Sequence, residues 1–399
     1  MDEERRPGFS TRAIHEGDLP TPSAIAEQPV SPPIWLTSDY LYEGLDHYAD
    51  VINERRPGYV YGRYGNPTHV ALNRVIASLE GAEAAWSFGS GMAAIHTALF
   101  SLLKAGDHVV AQRTIYGGTF ALLKKVLPGY GIDVTFVDPV PESVADAIRP
   151  ETRAVLVETL ANPTFRVSDV AGIATACAQA GVPLLVDNTI ATPYLFRPLD
   201  LEGVALVVDS TTKYLGGHSD LIGGAVAGPA DLIDRIRHLA IEVGSTGGAF
   251  EAWLTLRGIQ TLALRMERQC ANAIAVARAL VEHPKVGGVG YCGLTGHPDH
   301  RIATELFGGI GYGAMLSLDL QGGYDAALRA CGSLRVVRVG SSFGSLHSQV
   351  CHPGTTSHRQ LSAGEREAAG IGDGLIRVAI GGEDPEDLVD DFMQALEKA

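Results

Sequence analysis

The sequence predicts an α/β fold, with a mostly parallel central sheet in a large domain and a smaller C-terminal α+β domain. Three observations point there. Apolar runs of strand length alternate with amphipathic stretches from Thr68 to about Arg257, the rhythm of a doubly wound sheet. After Arg257 the alternation stops, and a long helical stretch leads into a shorter mixture of strand and helix. Two apolar runs end in polar residues, as strands do at the edge of a binding crevice.

Taken in order, residues 1–60 form an arm rich in proline (Pro20, Pro22, Pro29, Pro32, Pro33) and poor in periodicity. Such a segment cannot build its own core and is expected to wrap over another surface, that of a neighbouring subunit. Residues 61–257 hold the α/β domain, with strands expected at 108–112, 133–137, 154–158, 183–187, 205–209 and 224–227. Helices at 120–127 and 169–180 are expected between them. Residues 258–399 hold the second domain: a helix over 261–282, a strand over 314–320 and a final helix from Pro385.

Composition bounds the function. The chain has 399 residues, 46% of them apolar, enough for two domains with a large core. A net charge of −15, from 46 acidic and 31 basic side chains, opposes a nucleic-acid partner. Cys177, Cys270, Cys292, Cys331 and Cys351 are scattered without a C-x-x-C pair, as reduced thiols of a cytoplasmic protein would be. The charges at Asp2, Glu3, Glu4, Arg5 and Arg6 precede no apolar core, so no secretory signal is read there. No apolar run reaches membrane-spanning length, so no membrane partner is expected.

The chemistry concentrates at the strand ends. The run Val182-Pro183-Leu184-Leu185-Val186 stops on Asp187, and Ala205-Leu206-Val207-Val208-Asp209 is followed by Ser210-Thr211-Thr212-Lys213. Adjacent parallel strands would bring Asp187 and Lys213 to one crevice. A lysine able to form a Schiff base and an acid facing a pyridinium nitrogen are the protein parts that pyridoxal 5'-phosphate (PLP) needs. A solvated lysine and a capping aspartate are the plainer alternative.

Phosphate binding has a candidate in the turn Ser87-Phe88-Gly89-Ser90-Gly91-Met92, which opens an apolar helix. It lacks the ending of a Walker loop. Ser210 and Thr212 alternate, so both hydroxyls can face one side. Tyr116 follows the strand expected at 108–112, where a ring can stack on a flat cofactor and a phenol can move protons. Tyr61, Arg63 and Tyr64 crowd together before a helix, and Arg63 could pair with a phosphate. Arg377, inside the run Leu375-Ile376-Arg377-Val378-Ala379, is either an edge residue or a carboxylate clamp.

Other patterns compete. Ser210-x-x-Lys213 has no K-T-G or S-D-N companion. Gly340-x-Ser342-x-Gly344 resembles a hydrolase elbow, which makes a serine hydrolase using Ser342 the remote alternative. No Asp or Glu lies between Ser342 and the last histidine, His358. His347, Cys351, His352 and His358 fit no common zinc spacing, so no metal site is expected.

Together these segments resemble the Cys/Met-metabolism PLP enzymes, the cystathionine synthase and lyase family of fold-type I. The resemblance runs from Phe9-Ser10-Thr11-Arg12-Ala13-Ile14-His15 to Gly382-Glu383-Asp384-Pro385-Glu386-Asp387-Leu388. It implies that Lys213 holds PLP through a Schiff base, that Asp187 keeps the ring nitrogen protonated, and that Tyr116 stacks on the ring. It also implies that Gly91, Met92, Ser210 and Thr212 hold the phosphate, with Tyr61 and Arg63 reaching in from the neighbouring subunit. Arg377, helped by Asn162 and Ser342, would grip the substrate α-carboxylate. A homotetramer of active-site-sharing dimers is implied as well.

Within that family, Gly244-Ser245-Thr246-Gly247-Gly248-Ala249-Phe250-Glu251 looks like cystathionine γ-synthase. Tyr116-Gly117-Gly118-Thr119-Phe120-Ala121 is similar to methionine γ-lyase, but with Gly118 where that enzyme carries a cysteine. Ala121 stands where succinyl-type γ-synthases place an arginine, and His347 replaces the family's usual glutamate in the substrate pocket. The resemblance implies γ-elimination or γ-replacement on a homoserine- or homocysteine-type amino acid, with an altered substrate. A β-eliminating C–S lyase and a methionine γ-lyase are the alternatives.

Overall fold

The computed structural model describes residues 6–18, 29–359 and 361–399. Pro20 and Pro22 of the arm lie outside them. The described part of the arm carries the helices Phe9–His15 and Leu45–Ile52 and leaves Val30, Leu36, Leu41 and Leu45 almost wholly exposed.

Seven strands make the central sheet: β1 (Ala84–Phe88), β2 (His108–Gln112), β3 (Asp133–Val137), β4 (Thr152–Glu158), β5 (Leu184–Asp187), β6 (Val204–Asp209) and β7 (Gly224–Gly228). Their order is β1-β7-β6-β5-β4-β2-β3. The pairs β2·β3, β2·β4, β4·β5 and β5·β6 are parallel, and β7 runs antiparallel to both its neighbours. Alternate residues are buried on opposite faces. Val155, Val157, Leu184 and Val186 join one core, and Val109, Ala111, Leu156, Leu185 and Leu206 join the other. Burial on both faces is why these strands read as continuous apolar runs.

Strand β1 was not expected from the sequence. Its residues, Ala-Ala-Trp-Ser-Phe, are short and only weakly apolar at the N-terminal end, and tertiary pairing to β7 decides their conformation. The helix expected at 120–127 is a composite. An α-turn (Gly117–Ala121) leads into a π-helical segment (Leu122–Val126) and then a 3₁₀ turn (Leu127–Tyr130).

A second sheet has five strands, ordered β10-β11-β12-β9-β8: β8 (Val286–Gly290), β9 (Met315–Leu320), β10 (Arg338–Val339), β11 (Gln349–Cys351) and β12 (Leu375–Ala379). The helices Leu262–Leu280 and Pro385–Leu396 pack on it, burying Val276, Leu388 and Phe392 against Leu318, Val350 and Val378. Arg377 lies on β12, paired on both sides with Cys351 and Ser317, so it is not an edge residue.

Candidate active site

Because β1, β2, β4, β5 and β6 run the same way, their carboxyl ends share one edge, and a cavity opens there. Each strand end contributes to its lining. Gly91 and Met92 follow β1, Tyr116 follows β2, and Glu158 and Asn162 come from the end of β4. Asp187 ends β5, and Ser210, Thr212 and Lys213 follow β6. Phe343, from the second sheet's loop, closes the lining.

The Ser90 hydroxyl caps the helix Gly91–Leu102 by accepting from the amide of Ala93. The amides of Gly91 and Met92 therefore stand at the open first turn. Glycine is required at 91. A Cβ there would lie 2.8 Å from Ser210 Cβ and 3.1 Å from its Cα, so the turn and the β6 end could not close together. Thr212 Oγ1 donates to Gly223 O (3.1 Å) and accepts from Gly223 N–H (2.9 Å), which anchors the lysine-bearing turn to the approach of β7.

Lys213 Nζ donates to Ser342 Oγ at 3.0 Å and lies 4.8 Å from the centre of the Phe343 ring. Burial, reinforced by the positive charge of Arg377, pulls its pKa down to about 8. Arg377 is 2% exposed. Its Nη2 donates to the carbonyls of Ser341 (2.8 Å) and Ser342 (3.2 Å), while its buried Nε has no partner. Asp187 accepts from Thr189 N–H at 3.0 Å, and its enclosed position raises its pKa against that bond.

Glu158 has no role in the sequence reading, yet it is central here. One carboxylate oxygen accepts the Tyr116 amide (2.8 Å) and the other the Asn162 amide (3.0 Å). Burial and the neighbouring Asp187 push its pKa well up, and the two amides oppose them. Only its place was readable in the sequence, since Glu158 ends its strand as Asp187 ends the next and the two are register partners; the amides it holds were not.

Not every expected residue lines the cavity. Tyr61 and Arg63 lie elsewhere on this chain: Arg63 donates to Ile241 O and its guanidinium is 5.0 Å from the Tyr64 ring centre. His347 is exposed and is not part of the lining. The stretch 244–251 packs behind the Ser87–Gly91 turn, with Gly89 N–H donating to Ser245 O (3.2 Å).

The competing patterns resolve physically. Gly340-x-Ser342-x-Gly344 is a loop between β10 and β11, not a strand-to-helix elbow. Gly344 adopts φ +83°, and a Cβ there would fall 2.6 Å from Tyr214 N, so this glycine serves close packing against the lysine turn. His352 bonds Thr355 Oγ1 and Asp373 O. His358 is buried beside Arg377 and held neutral, its pKa lowered to about 4 by burial first and by Arg377 second.

A model of Cys/Met metabolism PLP-dependent enzymes matches residues 10–397. The chain belongs to this family. Its cofactor is PLP, and it is an enzyme of carbon–sulfur bond chemistry. It is 40% identical over 400 residues to an L-methionine gamma-lyase of Fusobacterium nucleatum, covering 99% of this chain and 100% of that protein. It is also 40% identical over 391 residues to a cystathionine gamma-synthase of Mycobacterium tuberculosis, covering 98% of this chain and 97% of that one. A crystal structure of cystathionine gamma synthase from Xanthomonas oryzae, in complex with aminoacrylate and cysteine, superposes with a TM-score of 0.92 at 36% identity. The match covers 99% of both chains. The fold is that of fold-type I.

The cavity suits the cofactor chemically. An amine with a lowered pKa, a carboxyl on the adjacent strand, a capped helix start and an unpaired Asn162 Oδ1 all lie around one space. Among the described residues no three His, Cys, Asp or Glu side chains cluster as metal ligands, and no helix is long and apolar enough to cross a membrane.

Proposed function

We propose that this enzyme catalyses γ-elimination or γ-replacement on a homoserine- or homocysteine-type amino acid. When bound, PLP acts as an electron sink for a carbanion at the substrate Cα. The remaining work falls to the chain. Lys213 would hold the cofactor, and its amine would move protons at the substrate Cα and Cβ as a group on Cγ leaves. Asp187 would keep the ring nitrogen protonated, and Tyr116 would stack on the ring. The amides of Gly91 and Met92, with the Ser210 and Thr212 hydroxyls, hold the phosphate. Arg377 orients the α-carboxylate beside Asn162 and Ser342.

The observation that carries this reading is Lys213 Nζ, with a pKa of about 8, in a cavity lined by the strand ends and within the field of Arg377. The γ-specificity rests on the names of the relatives, both γ-enzymes at 40% identity across the chain. The absence of an arginine at Ala121 favours an uncharged leaving group over a carboxylated one, and His347, outside the cavity, does not bear on it.

The assembly follows from the same reading. Tyr61 and Arg63 do not line their own cavity, and the arm carries exposed apolar side chains such as Leu36 and Leu41, which suit burial against a second copy. We therefore infer a homotetramer of dimers in which Tyr61 and Arg63 complete the partner's phosphate site. Free cysteines at all five positions fit a reducing cytoplasm.

The test offers O-acetylhomoserine, O-succinylhomoserine, cystathionine, methionine and cysteine in turn. 2-Oxobutanoate or a γ-thioether supports the reading. Pyruvate as the only keto acid, from cystathionine or cysteine, identifies a β-lyase and overturns it.

A further inference from the structure

Glu158 links two parts of the cavity that are distant in sequence. We propose that it is the positioning residue of the site: a single carboxylate that sets the stacking ring of Tyr116 and the substrate-facing side chain of Asn162 together, by holding the backbone amide of each. This rests on the roles given above to Tyr116 and Asn162.

The geometry is specific. Tyr116 and Asn162 lie on different loops, after β2 and β4, and nothing in local chain geometry fixes one relative to the other. Glu158 does so with one oxygen for each, at 2.8 and 3.0 Å. Its own backbone is fixed on both sides. Glu158 N–H donates to Gln112 Oε1 (2.8 Å), and Glu158 O accepts from Ser168 Oγ (2.6 Å). The carboxylate therefore projects from a locked strand end into the gap between the loops.

Only an acceptor-only group fits. Both amides donate, so both side-chain oxygens must accept. A glutamine can satisfy one amide, but its own NH₂ would then confront the other. Asp391, a buried carboxylate away from the cavity, holds the amides of Arg335, Val336 and Val337, so amide bonds alone do not mark a site residue. Glu158 instead bonds two residues whose side chains line the cavity, and it lines the cavity itself.

The experiment compares wild-type, Glu158→Gln and Lys213→Ala proteins reconstituted with PLP. Three quantities are measured: cofactor affinity by equilibrium dialysis, visible circular dichroism of the bound cofactor, and KM with kcat for the best amino-acid substrate. For Glu158→Gln, leaving one buried amide without its acceptor is expected to weaken cofactor binding or raise KM by about fivefold to hundredfold. The dichroism should change as the ring of Tyr116 loses its orientation. Glu158→Asp keeps an acceptor-only group one methylene further back, and should show the same changes in smaller degree even if the glutamine variant folds poorly.

A Glu158→Gln or Glu158→Asp holoenzyme that melts at lower temperature, but has wild-type KM, cofactor affinity and dichroism, would reduce Glu158 to a structural role and overturn the proposal. A wild-type protein that binds no PLP, or a Lys213→Ala protein indistinguishable from it, would instead be a failure of the site reading on which the proposal rests.

Discussion

Replacing Arg377 tests the substrate end of the site. Its guanidinium is 2% exposed and held by two carbonyls, with a buried Nε left unpaired, so under the proposed assignment an incoming carboxylate would meet a fixed fork. Truncating one partner of a buried, hydrogen-bonded charge pair costs about 2–5 kcal/mol. At about 1.4 kcal/mol per decade, Arg377→Ala should lower kcat/KM by about 30- to 4000-fold. Arg377→Lys should fall between, because a point charge remains but the fork is lost. PLP affinity should change little, since no cofactor contact is assigned to Arg377. A second consequence is electrostatic. Arg377 assists burial in depressing Lys213, so in the alanine variant the free amine should titrate above its present value of about 8. The assays are steady-state kinetics with O-acetylhomoserine or methionine, and the pH dependence of PLP association with the cofactor-free protein. Wild-type KM in Arg377→Ala, with PLP association keeping its midpoint, would refute the assignment.

Three further expectations follow from the packing. A Cβ at Gly118 would lie 2.5 Å from Tyr116 Cε1 and 3.2 Å from Met92 Sδ, so Gly118→Ala should tilt the ring and cut kcat/KM by about fivefold or more, read by kinetics and cofactor absorbance. Arg63→Ala and Lys213→Ala proteins, each impaired alone, should regain part of the activity when their subunits are mixed, because one site of each mixed dimer then has both residues. Unchanged activity on mixing would mean the sites are not shared. Asp209 and Glu80 are buried together, and burial, with Asp187 nearby, raises the Asp209 pKa above its unfolded value. The cost of keeping it neutral is absent at low pH and grows as pH rises through the unfolded pKa. Asp209→Asn should therefore stabilise the cofactor-free protein by about 1–3 kcal/mol more at pH 8 than at pH 4, as measured by thermal melts.

Much of the frame was legible because it obeys local rules. Strands β2 and β3 fall where the apolar runs place them, and the helix Pro385–Leu396 begins at its proline. Asp187 and Lys213 were readable as strand-end residues because parallel order makes strand ends converge. Three features were not legible, each for a physical reason. The pairing of β1 to β7 is a long-range choice with no periodic signature. The π-helical turn at Leu122–Val126 keeps the apolar content of an α-helix while changing its register. The part played by Glu158 depends on two backbone amides, which no side-chain pattern records.

The measurement that bears most directly on the central claim is hydrogen exchange in D₂O with 2-aminobutyrate, a substrate analogue that has no leaving group on Cγ. If Lys213 carries protons at both Cα and Cβ, the wild-type holoenzyme should exchange the hydrogens at both carbons, and Lys213→Ala should exchange neither at a comparable rate. Exchange confined to Cα in the wild type would contradict γ-chemistry at this site.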